Sequence, residues 1–177
     1  MTTTLERSAR PTGRERILGN DELIVYKTDL KGRISYANKT FQKIAGYTES
    51  ELLGAPHNIV RHPDMPRSVF KLLWDTLGSG REIFAYVVNL SRNGDHYWVF
   101  AHVTPSFDES GRILGYHSNR RAPERSAVEK ASALYAAIRA EEHKHTNPQR
   151  QVEAGLALVQ TTLADAGVTY DEFVFSL

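Results

Sequence analysis

Residues 82–105 read EIFAYVVNLSRNGDHYWVFAHVTP, two long apolar runs joined through Asn93-Gly94. An Asn-Gly pair between apolar runs is the strongest short-range signal for a β-hairpin, because the favoured tight turn needs positive φ at its centre. Neither run alternates apolar with polar. One parity of the first carries Ile83, Ala85, Val87 and Asn89, the other Phe84, Tyr86, Val88 and Leu90. The second run sets Tyr97, Val99, Ala101 and Val103 against His96, Trp98, Phe100 and His102. An antiparallel sheet wetted on one side alternates cleanly, so both faces of this one are expected to be covered. A bare second face would expose a contiguous apolar patch.

Outward from this hairpin, residues 112–120 make a further strand after the Asp108–Gly111 turn. Upstream, two short apolar runs, 23–26 and 33–37, flank Asp29–Gly32 and predict another hairpin. Between the hairpins the period changes to that of helices. Phe41, Ile44 and Ala45 mark a short helix closed by Gly46; Thr48 and Glu51 form a capping box for a second that stops at Gly54. Val69, Leu72, Leu73 and Trp74 mark a longer one from about Pro66 to Leu77. The order β-β-α-α-α-β-β-β predicts an α+β fold, a five-stranded antiparallel sheet with helices inserted between strands two and three.

After Pro123, Val128, Ala131, Leu134, Tyr135 and Ile138 form one helical stripe, and Val152, Leu156, Val159 and Leu163 form another. Asn147-Pro148 separates them, predicting a helical hairpin, and the tail Phe173-Val174-Phe175 is apolar enough to dock. The inserted helices cover one face of the sheet. Either the C-terminal hairpin or a second copy of the chain covers the other. The expected organisation is a polar arm or short helix at 1–20, a sheet-and-helix domain at 21–122, and a helical extension at 123–177.

Composition bounds the function. With 177 residues, 41% apolar and 24% charged, the chain reads as an ordinary soluble domain with attachments. Its 22 basic and 21 acidic residues leave a net charge of +1, too little to draw nucleic acid or an anionic membrane. No apolar run approaches the roughly 18 residues of a membrane helix, and the N-terminus lacks the apolar core of a secretory signal. A cytoplasmic protein is expected. The absence of cysteine excludes disulfides, thiolate metal sites, thioether-linked haem and cysteine nucleophiles. Gly78-Ser79-Gly80 lacks the lysine and spacing of a phosphate loop, and no serine stands in a nucleophile elbow, so no enzyme is expected. Residues 123–177 are too few for a kinase or cyclase, which leaves signalling by contact.

The densest polar segment is PHNIVRHPDMP, residues 56–66, in a connection between helices. Arg61 offers a rigid fork of donors, and His57, Asn58 and His62 can donate or accept; with Asp64 they suit an anionic or heteroaromatic ligand. The same composition also suits a surface loop in which Asp64 caps the following helix. His143-Lys144-His145, at a helix end, complements the helix dipole.

Several stretches together carry a resemblance: YANKTF (36–41), GYT (46–48), ELLG (51–54), NGDHYW (93–98) and GRILGY (111–116). They resemble a PAS domain, and PHNIVRHPDMP followed by NGDHYWV is similar to the type found in aerotaxis receptors. The resemblance covers about residues 21–122 and stops short of the C-terminal helices. It implies a sensory module that holds FAD non-covalently and reports redox or oxygen status to a chemotaxis receptor or kinase. Asn38, Arg61, His62 and Asp64 match, by position, residues the family associates with flavin binding. A more distant similarity is to flavin-binding photoreceptor (LOV) domains. Asn89 falls where these use an asparagine on the flavin ring, and His57 stands in place of their photoreactive cysteine, which removes the light-driven adduct. Where aerotaxis domains carry tryptophan the chain has Ile83, so one stacking partner is missing. Haem held by His57 or His62, with His102 and His117 on outward parity, is the alternative cofactor. A ligand-free module for protein interaction, or for homodimerisation through the outer face or C-terminal helices, is the third reading.

Overall fold

The computed structural model describes residues 10–177. Two strands open the fold, β1 (Ile24–Asp29) and β2 (Ile34–Ala37), followed by α1 (Lys39–Ala45), α2 (Glu49–Leu52) and a single 3-10 turn, His57–Val60. Next come α3 (Arg67–Gly78), β3 (Ile83–Leu90), β4 (His96–Phe107) and β5 (Ile113–Arg121), and then α4 (Arg125–Glu142), α5 (Pro148–Ala166) and α6 (Tyr170–Ser176). The strands form one antiparallel sheet in the order β2-β1-β5-β4-β3. The expected α+β architecture, with its helices inserted between β2 and β3, is what the chain adopts.

Local chemistry fixes the inserted helices. Asn38 Oδ1 accepts the Phe41 N–H to cap α1, and Gly46 ends it in the left-handed region at φ 76°. The Thr48–Glu51 capping box starts α2. Helix α3 departs from expectation. Asp64 does not cap it: the N-cap position is Pro66, which has no side-chain acceptor, and the cap arrives from 75 residues away. Glu142, buried at the end of α4, accepts the N–H groups of Arg67 (3.1 Å) and Ser68 (2.8 Å) and the Ser68 hydroxyl (2.7 Å).

The inner face of the sheet carries Ile24, Ile34, Ile83, Tyr97 and Val99, packed fully buried beneath Phe41, Leu52 and Leu77 of the inserted helices. On the outer face, the Phe175 ring of α6 packs tilted against Phe84 and edge-on against Phe100, at 4.8 and 5.9 Å between ring centroids. The Tyr170 hydroxyl donates to the Phe84 carbonyl, and that of Tyr135 in α4 to the Tyr86 carbonyl. The chain's own C-terminal helices therefore cover the outer face at β3 and β4. The expected helical hairpin is α4 with α5, broken at Asn147-Pro148, and the apolar tail adds a third helix, α6. The third starts at a second capping box, Thr169 with Glu172, of the same spacing as Thr48 with Glu51.

The described part of the N-terminal arm is extended, not helical, as Pro11 and Gly13 would dictate. It runs beside the start of β4, where His96 N–H donates to Arg14 O and Arg16 N–H to His96 O. Residues 1–9 of the expected arm lie outside the described residues.

Candidate functional site

Alternation along β3, β4 and β5 aims an unusual set of polar groups at the inner face. Asn89 pairs across the hairpin with Tyr97, and Ser118 and Arg120 follow on β5 at the same parity. All four are buried, Tyr97 completely. The Asn89 Nδ2 and the hydroxyls of Tyr97 and Tyr47 have no hydrogen-bond partner, nor has Thr28 Oγ1 on β1. Arg120 donates through Nε to Ser118 Oγ (3.1 Å) and through Nη2 to the Tyr26 hydroxyl, its guanidinium lying over the Tyr26 ring at 4.8 Å. Among the described residues no carboxylate pairs with it.

Such groups are expensive. A buried polar atom without a partner costs about 1–3 kcal/mol, and an unpaired buried charge costs more. Most buried polar groups in folded proteins are satisfied, so several orphans on one face beside an uncompensated cation point to a polar, electron-rich ligand. Burial pushes the Tyr97 phenol up, against the Arg120 charge and the neighbouring Asn89 side chain, so its hydroxyl stays a donor.

On the helical side, a separate groove of about 450 Å³ lies beside α3, and none of the inner-face cluster lines it. His57, Arg61, Phe70 and Trp74 line it. The His57 ring packs edge-on to Trp74 at 5.1 Å, and burial, aided by the charges of Arg120 and Arg61, lowers its pKa to about 4. The imidazole is neutral at physiological pH. The Arg61 guanidinium lies 4.5 Å over the Phe70 ring and donates to the Met65 carbonyl. The backbone of Arg61 pairs with that of Asn89, so this segment closes the free edge of β3 next to the orphaned amide.

The residues singled out from sequence thus divide. His57, Asn58 and Arg61 come together at the groove, and Asn89 faces the inner cluster. His62 and Asp64 turn toward α4: the His62 ring accepts the Asp64 N–H and sits 5.7 Å from His96, while Asp64 pairs with Arg139. Burial lowers the His62 pKa. Asn38 has both ends of its amide engaged, capping α1 and donating to the Leu23 carbonyl. Sequence reading missed Arg120, Ser118, Tyr97 and Tyr47 as polar members. For the β5 pair a signal existed, since Ser118 and Arg120 share the parity of the inner face.

Residues 34–120 match the family described as PAS fold. The chain is 43% identical over 123 residues to the aerotaxis receptor of Escherichia coli (strain K12), an alignment covering 70% of this chain and 24% of the receptor. The chain therefore spans about a quarter of that relative's length. Among solved structures it resembles an RNA-binding light-oxygen-voltage receptor, with a TM-score of 0.57 and 17% identity over 67% of this chain and 35% of that one. It also resembles a light-oxygen-voltage domain studied through a flavin analogue, with a TM-score of 0.54 and 18% identity over 70% of this chain and 87% of that one. At these identities the structural likeness is one of fold.

Proposed function

The chain belongs, through residues 34–120, to the PAS fold family in its aerotaxis-receptor type, and we propose that it is a sensory module holding a flavin, FAD, against the inner face of its sheet. The observation that carries this reading is the buried set of Asn89, Tyr97 and Arg120, two orphaned polar groups and a cation without a carboxylate. An isoalloxazine ring has the heteroatoms to satisfy them. The Asn89 amide and the Tyr97 hydroxyl would hydrogen-bond its polar edge. Arg120 would stabilise extra electron density on it. His57, Asn58 and Arg61 would close the helical side, while His62 and Asp64 shape the segment that carries them and Asn38 fixes the start of α1. Bound, the flavin would supply reversible electron uptake. With no cysteine in the chain, no thiol adduct competes with that chemistry.

The protein's own contribution is electrostatic. A buried arginine in a low-dielectric face raises the affinity for an electron-rich ring over a neutral one. That preference makes redox state the quantity sensed. The change would pass through Arg67, at the start of α3, to Glu142 of α4 and be read by contact, by a receptor or a kinase.

The purified protein's absorption spectrum tests the reading: maxima at about 370 and 450 nm mean flavin, and an intense band at about 400 nm means haem. The haem reading draws on His57, whose neutral imidazole is a competent ligand beside aromatic walls. With flavin bound, Asn89→Ala should loosen it and Arg120→Gln should lower its potential. A colourless protein that takes up neither cofactor on reconstitution refutes the proposal.

A further inference from the structure

A second cavity, about 500 Å³, lies beside Leu90, the residue after Asn89. Its walls bring together Arg10 of the arm, Arg61, Arg67 at the start of α3, Arg139 of α4 and His143, which caps the end of α4. In a chain whose net charge is +1, four arginines face one cavity with a single acid, Glu142, on its lining. The Glu142 carboxylate is already engaged by two backbone N–H groups and the Ser68 hydroxyl. Asp64 takes one Nη of Arg139, but the Nε of that arginine is buried without a partner. Burial first, and then the nearby Arg67 charge, lower the Arg61 pKa, against the opposing charge of Glu142. Among the described residues Arg10, Arg61 and Arg67 have no carboxylate partner, and guanidinium groups so placed around one space suit a multiply charged anion with several acceptor oxygens.

Arg61 and Arg67 also line the aromatic groove, so cavity and groove are neighbours that share these two walls. We propose that this cavity takes the diphosphate of a dinucleotide ligand and that α4, through Arg139 and His143, is part of the ligand site. The inference rests on the flavin reading for the source of the diphosphate. It goes beyond that reading because α4 lies outside residues 34–120, the segment that matches the family. A ligand held from both sides would couple its own occupancy to the position of the C-terminal helices.

The test is a set of dissociation constants for FAD and riboflavin on the full chain, with sodium pyrophosphate as a separate probe. The wild-type chain should prefer FAD over riboflavin, and pyrophosphate should compete with FAD but not with riboflavin. Arg67→Gln and Arg139→Gln should each shrink the preference by about tenfold, the scale of one partly exposed charge-assisted contact. Arg150→Gln, on the exposed face of α5, should leave it unchanged. Arg67 is itself exposed, so its variant decides the matter if Arg139→Gln unfolds the chain. Equal affinity for the two flavins, or a preference that neither variant moves, overturns the cavity while the flavin reading stands. Pyrophosphate binding that both variants weaken, in a chain that takes no flavin, keeps the diphosphate site and assigns it to a free ligand. Binding of neither overturns both.

Discussion

Replacing Gly155 by alanine is predicted to destabilise this protein, although helix propensity alone says the opposite. In an ordinary helix interior the exchange gains about 1 kcal/mol, because alanine loses less backbone entropy on folding. Here α5 crosses α3 so closely that a Cβ at position 155 would lie 2.4 Å from Ser68 Oγ, 2.8 Å from Ser68 Cβ and 2.9 Å from Glu142 Oε1. None of these atoms can swing away. Ser68 is fully buried with a short side chain, and Glu142 is fixed by three hydrogen bonds. The helices must part, an overpacking cost of roughly 1–3 kcal/mol, and stretching hydrogen bonds to a buried carboxylate adds about 1.5–3 kcal/mol more if one is lost. Set against the propensity gain, the balance is a loss of about 2 kcal/mol, or roughly 4–8 °C in melting temperature for a chain of this size. Gly78→Ala is the matched control. It ends α3 with nothing within 4 Å of its added Cβ, so it should hold or raise the melting temperature. Melting both variants by circular dichroism decides the matter. If Gly155→Ala melts at or above the wild-type temperature, the close approach of α3 and α5 is not what holds the C-terminal helices.

Gly94→Ala should detach the arm. At φ 91° its Cβ would fall 2.2 Å from the Arg10 carbonyl, so faster amide exchange at Arg16 and His96 is expected, and unchanged protection would count against the docking. Acid should weaken the fold through His57. Its folded pKa is about 4 against an ordinary value of 6.5, so between those pH values the unfolded chain binds the extra proton. Stability is therefore complete above about pH 6.5 and falls toward pH 4, by at most about 1.4 kcal/mol per pH unit. His57→Gln should flatten that slope in urea titrations at pH 7 and 5, leaving the smaller part owed to His62; an unaltered slope would place His57 in water.

Sequence carried the architecture because each decisive signal was local. Asn93-Gly94, the capping boxes and the two-residue parity of β3 and β4 each act within a few positions, and the structure keeps them. What escaped was non-local. The cap of α3 is Glu142, whose neighbours in sequence say nothing of Ser68, and a carboxylate at a helix end reads as an exposed charge until the fold delivers it elsewhere. The site was partly legible for the same reason. Asn89 could be placed on the inner face by counting, whereas Arg120 gained its meaning only when β5 was found between β1 and β4, in the centre of the sheet. The polar run 56–66 looked like one constellation and is two, because Arg61 backs onto β3 while Asp64, three residues later, reaches α4.

That division bears on how a change at the site could travel. Tyr135, Arg139 and Glu142 lie on one stripe of α4 and touch, in turn, the Tyr86 carbonyl, Asp64 and the N-terminus of α3. The three links differ in strength. Asp64 and Arg139 are 53% and 28% exposed, and an ion pair so open to water contributes about 1 kcal/mol at most. Such a link shifts a two-state equilibrium by roughly fivefold and no further. Glu142 is buried and accepts three hydrogen bonds, so its release would cost several times as much. A ligand that perturbs only the 61–65 segment would trim the weak link and leave α4 seated. To move α4 it must act on the start of α3, and Arg67 is the residue that both lines the groove and donates its N–H to Glu142.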